Sequence, residues 1–300
     1  MTRKVQIFQV DAFTEQRFAG NPAGVVLGAE VLSDEEMLAI ARELNNADTA
    51  FVLPSDGTDH DLRVRFFTPR TEAGFVGHAT IAAHFVLSRR SASNHMQRQK
   101  QKAGMVNVEI RGNGDSRRVA IRQPPPALGR ELNERERLAV LDSLALSTAD
   151  LDTRCPLRIC GTGGTRLMIG VRSVEQLRTL KPDFQRLTTL SAQLGAQGHF
   201  VFTLRGAPTG SLTESRMFCP ALGIPEDPVS GNAHGILGAY LLQHGLLAAE
   251  SERARFTGAQ GQFLHRPGRV DVELEFANGA VAGVWIVGGA VLVFETTLTL

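Results

Sequence analysis

The sequence predicts an α/β protein made of two similar halves, each a sheet wrapped around one central buried helix. Three observations lead there. At 300 residues and 43% hydrophobic content the chain exceeds what a single compact core organises. Short β-rich stretches greatly outnumber helical patterns. Most telling, Arg65-Phe66-Phe67-Thr68-Pro69 precedes Gly77-His78-Ala79, and a similar preface, Arg216-Met217-Phe218-Cys219-Pro220, precedes Gly231-Asn232-Ala233, beginning 151 residues later. A period of half the chain is too long for a solenoid and points to two related domains.

Taken in order, strands are expected at 5–10, 23–27, 50–53, 63–67, 105–110 and 118–122, then at 166–171, 199–204, 215–219, 270–275, 281–287 and 290–296. A peripheral amphipathic helix is expected at 34–44, where Ser33 and Glu36 form a capping-box pattern ahead of Met37, Leu38, Ile40 and Leu44. The segments 78–90 and 232–244 are small or apolar almost all round, the pattern of buried helices. The polar, basic segment 89–102 reads as a solvated loop or helix end, because no aromatics are interleaved with its charges. Three consecutive prolines make 123–134 the expected linker. The resulting domains are 1–125, with a C-terminal strand at 287–300 returning to it, and 126–286.

Composition excludes several function classes. Lysine and arginine number 32 against 31 acidic residues, a net charge of +1 that offers no general attraction for nucleic acid or an anionic membrane. No run has the length of a membrane helix, and the first ten residues lack a signal-peptide core. Cys155, Cys160 and Cys219 are odd in number and form no C-x-x-C pair, so neither a disulfide framework nor a zinc site is indicated and a reducing cytoplasm fits. The histidines show no metal-ligand spacing, so no metal is expected. The partner expected is a small molecule.

Signatures of serine hydrolases, P-loop nucleotide binders and zincins are missing. Gly161-Thr162-Gly163-Gly164 lacks the last glycine of a dinucleotide fingerprint and leads into a strand-like run, as a hairpin turn would. What remains are the two helix starts. Unpaired amides and partial positive charge fit Gly77-His78 and Gly231-Asn232 to hold a carboxylate, and if the halves are related both starts would face one inter-domain cleft. Taken singly, His78 is an ordinary buried histidine, while Asp227 before Pro228 and Asp48 before a short strand are ordinary turn or cap residues. Their weight is joint.

The residues Asp11-Ala12-Phe13-Thr14, Phe18-Ala19-Gly20-Asn21-Pro22-Ala23-Gly24-Val25-Val26, Ala41-Arg42-Glu43-Leu44 leading to Asp48-Thr49-Ala50-Phe51, Phe67-Thr68-Pro69 with Glu72 and Gly77-His78-Ala79-Thr80, and Glu226-Asp227-Pro228-Val229-Ser230-Gly231-Asn232-Ala233 resemble the phenazine-biosynthesis PhzF-like family, which has the diaminopimelate-epimerase fold. The resemblance runs along nearly the whole chain and is closer to the family's uncharacterised bacterial members than to its phenazine enzyme. It implies two domains of like fold around a cleft, a homodimer, and cofactor-free isomerisation by proton shuttling. The family's acid/base, histidine, aspartate and small polar positions match Asp48, His78, Asp227 and Asn232.

Two of these depart from the pattern. Asp48 stands where the family has glutamate, withdrawing the carboxylate by about one C–C bond, ~1.5 Å, and Asn232 stands where it has serine. Gly74 stands where proline is common. Epimerases of this fold use two cysteines at places that here hold Val76 and Ser230, which disfavours a two-thiol racemase. The expectation is a metal-free isomerase in which Asp48 is the acid/base and His78 and Asp227 orient and polarise. Gly77, Ser230, Gly231 and Asn232 would hold a small carboxylate-bearing substrate. The alternatives are a non-catalytic small-molecule binder that kept the cleft, or an amino- or hydroxy-acid racemase or dehydratase using Asp48 and Asp227.

Overall fold

A computed structural model describes residues 2–90, 96–161, 164–250 and 252–300. The elements run β1 (Lys4–Ala12), β2 (Asn21–Leu27), α1 (Asp34–Leu44), β3 (Asp48–Pro54), β4 (Leu62–Phe67), β5 (Glu72–Ala73), α2 (Gly77–Ser88), β6 (Met96–Gln101), β7 (Gly104–Arg111) and β8 (Arg118–Gln123). There follow β9 (Leu128–Glu131), α3 (Glu134–Ser143), β10 (Arg158–Cys160), β11 (Arg166–Val171), α4 (Val174–Thr179), α5 (Phe184–Leu194), β12 (Gly198–Thr203), β13 (Thr213–Cys219) and β14 (Ile224–Asp227). The chain ends with α6 (Gly231–Gln243), β15 (Arg253–Gln260), β16 (Gly268–Ala277), β17 (Ala280–Gly288) and β18 (Ala290–Thr299). It divides into two compact units, Met1–Gln123 with Val287–Leu300, and Pro124–Ile286.

In the first unit β1 lies antiparallel to both β2 and β18. Helix α1 carries the chain over to β3, which runs parallel to β2, and β4 returns antiparallel to β3. Strand β4 then pairs antiparallel with β5 and parallel with β6, and β7 and β8 follow as antiparallel neighbours. The capping box of α1 is formed, with Ser33 Oγ accepting from the Glu36 amide and Glu36 Oε2 accepting from the Ser33 amide. Its apolar stripe of Met37, Ile40 and Ala41 packs with Phe51, Leu53 and Phe67 on one face of the sheet. The other face closes on α2, where Ala79, Ala82 and Ala83 let the helix lie close against Val10, Val25, Val64 and Phe66. Burial on every side leaves α2 no solvent stripe.

The second unit repeats that series. Strands β11 and β12 are parallel, β13 is antiparallel to β12, and β13 pairs antiparallel with β14 and parallel with β15, which is followed by antiparallel β16. The crossover from β11 to β12 is made by α4 and α5, packed in a core of Leu177, Leu187, Leu190, Leu194, Val201 and Phe218. Helix α6 takes the place of α2 and is likewise buried nearly throughout. Phe200 and Phe202 meet His234 and Tyr240 edge-on.

The repeated preface has a physical content. Residues two apart on a strand share a face, so Arg65 lies over the Phe67 ring, 5.1 Å from its centroid, while its Nε donates to Glu72 Oε1 at 2.8 Å. Arg216 lies 4.9 Å over Phe218 and forms a two-pronged pair with Glu226, both contacts 2.8 Å. Each arginine pins the strand to the short return strand that leads into the buried helix.

Several expectations need correction. The basic segment 89–102 is not solvated throughout: residues 96–101 are strand β6, and inward-pointing Gln99 is buried where its carbonyl meets His84 Nε2 at 2.8 Å. A strand whose inner positions are polar carries no apolar alternation. Residues 91–95 of that segment lie outside the described residues, as do Thr162 and Gly163 of the expected hairpin turn. The expected linker 123–134 contains β9, which pairs with β10. Helices α3, α4 and α5 add to the three expected, and Asn133, Ser173 and Asp183 cap them. Strand β15 is also not among the expected strands: its inward face, Ala254, Phe256, Gly258 and Gln260, carries one large apolar residue and ends on a polar one, which breaks the apolar alternation.

Candidate active site

In the first unit the site residues come together at the start of α2. Helix α1 ends on Asn45 in the left-handed region, φ 51°, which turns the chain so that Asp48 becomes the first residue of β3, not a cap or turn residue. Strand alternation puts Asp48 on the α2 face together with Ala50. His78, the second residue of α2, points back to it, with His78 Nε2 3.9 Å from Asp48 Oδ2 and both residues under 10% exposed. Burial draws the His78 pKa down to about 4. Near neutral pH the imidazole is therefore uncharged, and among the described residues its Nε2 has no hydrogen-bond partner. Val76 caps α2 without a side-chain hydrogen bond, leaving the amides of Gly77 and His78 at the helix start.

In the second unit the start of α6 is more heavily tied. Ser230 is its N-cap, its Oγ accepting from the Ala233 amide at 3.4 Å. Gln260 bridges the approach to the helix, accepting from the Ser230 amide at 3.0 Å and donating from Nε2 to the Asp227 carbonyl at 2.6 Å. His234 Nδ1 lies 2.8 Å from the Ser230 carbonyl, which can only accept, so the proton sits on Nδ1. Asp227 is the last residue of β14, opposite Met217, rather than a turn residue. Gly231 and Asn232 open the helix, and Asn232 Oδ1 is sealed from solvent with no hydrogen-bond partner among the described residues.

Two participants were not anticipated. Gln260 sits in the strand missed above. Arg166 begins β11 and extends toward Asp227 and Cys219; burial lowers its pKa below the usual arginine value, and those two neighbours partly offset that. Its only sequence signal was an arginine opening an otherwise apolar run, Arg166-Leu167-Met168-Ile169. Cys160 is buried with its pKa pushed up to about 11, so no thiolate is available there near neutral pH. Among the described residues no group of three His, Cys, Asp or Glu is placed to hold a metal ion, and no helix is long and apolar enough to cross a membrane.

Comparison with known proteins agrees with this architecture. The model of the phenazine biosynthesis-like protein family matches residues 10–296. An uncharacterised isomerase from Clostridium acetobutylicum is 38% identical over 304 residues, covering 100% of both chains. The trans-2,3-dihydro-3-hydroxyanthranilate isomerase of Pseudomonas chlororaphis is 32% identical over 240 residues, 79% of each chain. Among solved structures, a Bacillus anthracis phenazine biosynthesis protein of the PhzF family superimposes with a TM-score of 0.88 at 29% identity, covering 99% of each chain. A hydroxyproline epimerase from Agrobacterium vitis, 13% identical, shares the fold with a TM-score of 0.62 over 99% of this chain and 93% of its own. The protein belongs to the phenazine biosynthesis-like, or PhzF, family and is an isomerase.

Proposed function

We propose that the protein catalyses a cofactor-independent isomerisation in which Asp48 takes a proton from one carbon of a small carboxylate-bearing substrate and returns it to another. The observation that carries this reading is the buried Asp48–His78 pair. Held neutral by burial, His78 does not tie Asp48 into an ion pair near neutral pH. The neutral ring still offers a polar contact that can orient the acid or polarise the substrate. Asp227 is assigned an orienting role, and the amides at each helix start, Gly77 and His78 in the first unit and Gly231 and Asn232 with Ser230 in the second, are each fit to hold a carboxylate. The isomerase of Pseudomonas chlororaphis supports a cyclic amino acid such as dihydro-hydroxyanthranilate as the first substrate to try.

The test is proton exchange in deuterated water. Wild type should place solvent deuterium on a substrate carbon, and Asp48→Asn should lower that rate by roughly 10²- to 10⁴-fold while the dissociation constant changes by less than about threefold, since the amide keeps size and hydrogen bonding. Binding without exchange in wild type would favour the non-catalytic binder, and equal exchange in both proteins would remove Asp48 from the mechanism.

A further inference from the structure

The two units place different chemistry at one equivalent position. In the first, β2 and β3 open their parallel ladder with Ala23 opposite Asp48. In the second, β11 and β12 open theirs with Arg166 opposite Gly198. Each second strand follows a helix that ends in a left-handed residue, Asn45 in one and Gly195 in the other. Where the first unit has a small residue beside an acid, the second has a cation beside a residue with no side chain. The missing side chain makes room: a Cβ on Gly198 would fall 2.3 Å from Met217 Cε and 3.2 Å from Arg166 Cδ, so the arginine stem runs over the glycine.

The head of Arg166 is under-used. Nη1 donates to the Thr165 carbonyl at 2.9 Å, Nε is sealed from solvent without a partner, and the side chain forms no ion pair within 4 Å among the described residues. A methyl group placed on Gly164 would sit 3.7 Å from Arg166 Nη1, 3.7 Å from Gln197 Oε1 and 3.8 Å from the unpartnered Asn232 Oδ1. Three polar heads therefore converge on one small space beside the start of α6. Arg166 is partly buried and burial works against its charge; Asp227 favours that charge without an ion pair within 4 Å among the described residues, so an anion bound here would complete the guanidinium.

We propose that Arg166, laid over Gly198, is the residue that selects an anionic substrate in the second unit, its guanidinium pairing with the substrate carboxylate beside Asn232. The inference rests on the proposed carboxylate-bearing substrate and gives that class a specific reader. A planar fork matches a carboxylate in a way that lysine does not.

The test is a selectivity ratio. Small carboxylates, including trans-2,3-dihydro-3-hydroxyanthranilate, are each compared with their carboxamides by calorimetry in wild type, Arg166→Gln, Arg166→Lys and Gly198→Ala, with circular dichroism to verify folding. Wild type should prefer its best carboxylate by ~10- to 100-fold. Arg166→Gln should bring the ratio to within about threefold, Arg166→Lys should restore part of it, and Gly198→Ala, which displaces the stem without removing charge, should lower it several-fold. Should Arg166→Gln not fold, the lysine and alanine variants decide. A wild type without the preference, or an unchanged ratio in the variants that fold, overturns the proposal. Asp48→Asn separates this from the catalytic reading: it should keep the ratio and lose exchange. Exchange retained there with the ratio lost in Arg166→Gln would leave Arg166 in place and sink Asp48 as the base.

Discussion

The starts of α2 and α6 share a frame and differ in how it is finished. Both helices begin with glycine, and in both the fourth helical residue donates a hydrogen bond of 2.8 Å from its side chain into the N-cap carbonyl, Thr80 Oγ1 to Val76 and His234 Nδ1 to Ser230. Around that frame the first unit is loosely tied. It has no capping side chain, and His78 Nε2 lies beside the acid without a hydrogen bond. The second is braced by Ser230 and by Gln260, which grips the backbone on both sides of the turn. A group that must present a rigid outline is better braced. The difference fits a division among the proposed roles, proton transfer at Asp48 and carboxylate binding at the braced start of α6.

That division breaks or stands on a kinetic split. Asp48→Asn should lower kcat by roughly 10²- to 10⁴-fold with KM little changed. Asn232→Ala should raise KM with kcat altered less than about tenfold. Steady-state rates of both variants on one substrate decide it: an Asn232→Ala loss falling mainly in kcat would place chemistry in the second unit as well.

Both units should respond to acid, and together. His78 and His84 in the first, and His199 and His234 in the second, are buried with pKa values drawn down to about 4. Because the folded values lie below the ordinary 6.5, the native state resists protonation that the unfolded chain accepts. The stability they confer is whole above pH 6.5 and is lost as pH falls toward 4, each histidine costing roughly 3 kcal/mol by then against a typical total of about 5–15 kcal/mol. Melting temperature should therefore fall steeply between pH 6.5 and 4, and a flat profile would show that these rings gain compensating contacts when charged. Glu214 on β13 has the opposite sign. Burial, only partly offset by the Ser215 amide, pushes its carboxyl up to about 7, so its cost is absent below pH 4.5 and grows through 7. Glu214→Gln should thus be more favourable at pH 8 than at pH 5, by roughly 1–3 kcal/mol in urea unfolding.

Much of this was legible in the sequence because it rests on local signals. The capping box at Ser33, the all-round apolar helices and the repeated arginine preface each state their structure within a few residues, and the family resemblance located Asp48, His78, Asp227 and Asn232. What escaped were groups defined by partners far along the chain. Gln99 and Gln260 are polar residues on inward positions, and their reasons, His84 and the Ser230 turn, lie 15 and 30 residues away. Arg166 reads as a strand-edge charge until the bare Gly198 beside it is known.

The repeat itself can be probed at its arginines. Arg216 and Glu226 are 12% and 11% exposed, whereas Arg65 and Glu72 are 25% and 21% exposed and Arg65 also pairs with exposed Asp34. Breaking the more buried pair strands a carboxylate out of water, so Arg216→Ala should cost about 3 kcal/mol. Arg65→Ala should cost nearer 1 kcal/mol, its carboxylates being better solvated. Equal losses in urea titrations would mean that the cation–ring contact common to both, rather than the ion pair, secures the preface.

The smallest expected effect bears most directly on the two helix starts. Ser230→Ala removes the one side-chain cap and should cost about 1 kcal/mol. In the first unit Val76 has the extended backbone of an N-cap, φ −138° and ψ 110°, but no oxygen to offer. Val76→Thr supplies one in nearly the same shape, gaining a cap for the Ala79 or Thr80 region while putting a hydroxyl where a methyl now sits in the apolar cluster under α2. The two terms nearly cancel, so stability should move by less than about 1 kcal/mol, which makes stability the wrong readout. Exchange rate is the right one. If the open start of α2 matters because His78 must stay unconstrained, fixing the first turn with threonine should slow exchange severalfold while leaving melting unchanged. An exchange rate equal to wild type would mean that bracing and catalysis are compatible there, and that the contrast between the two starts has no functional content.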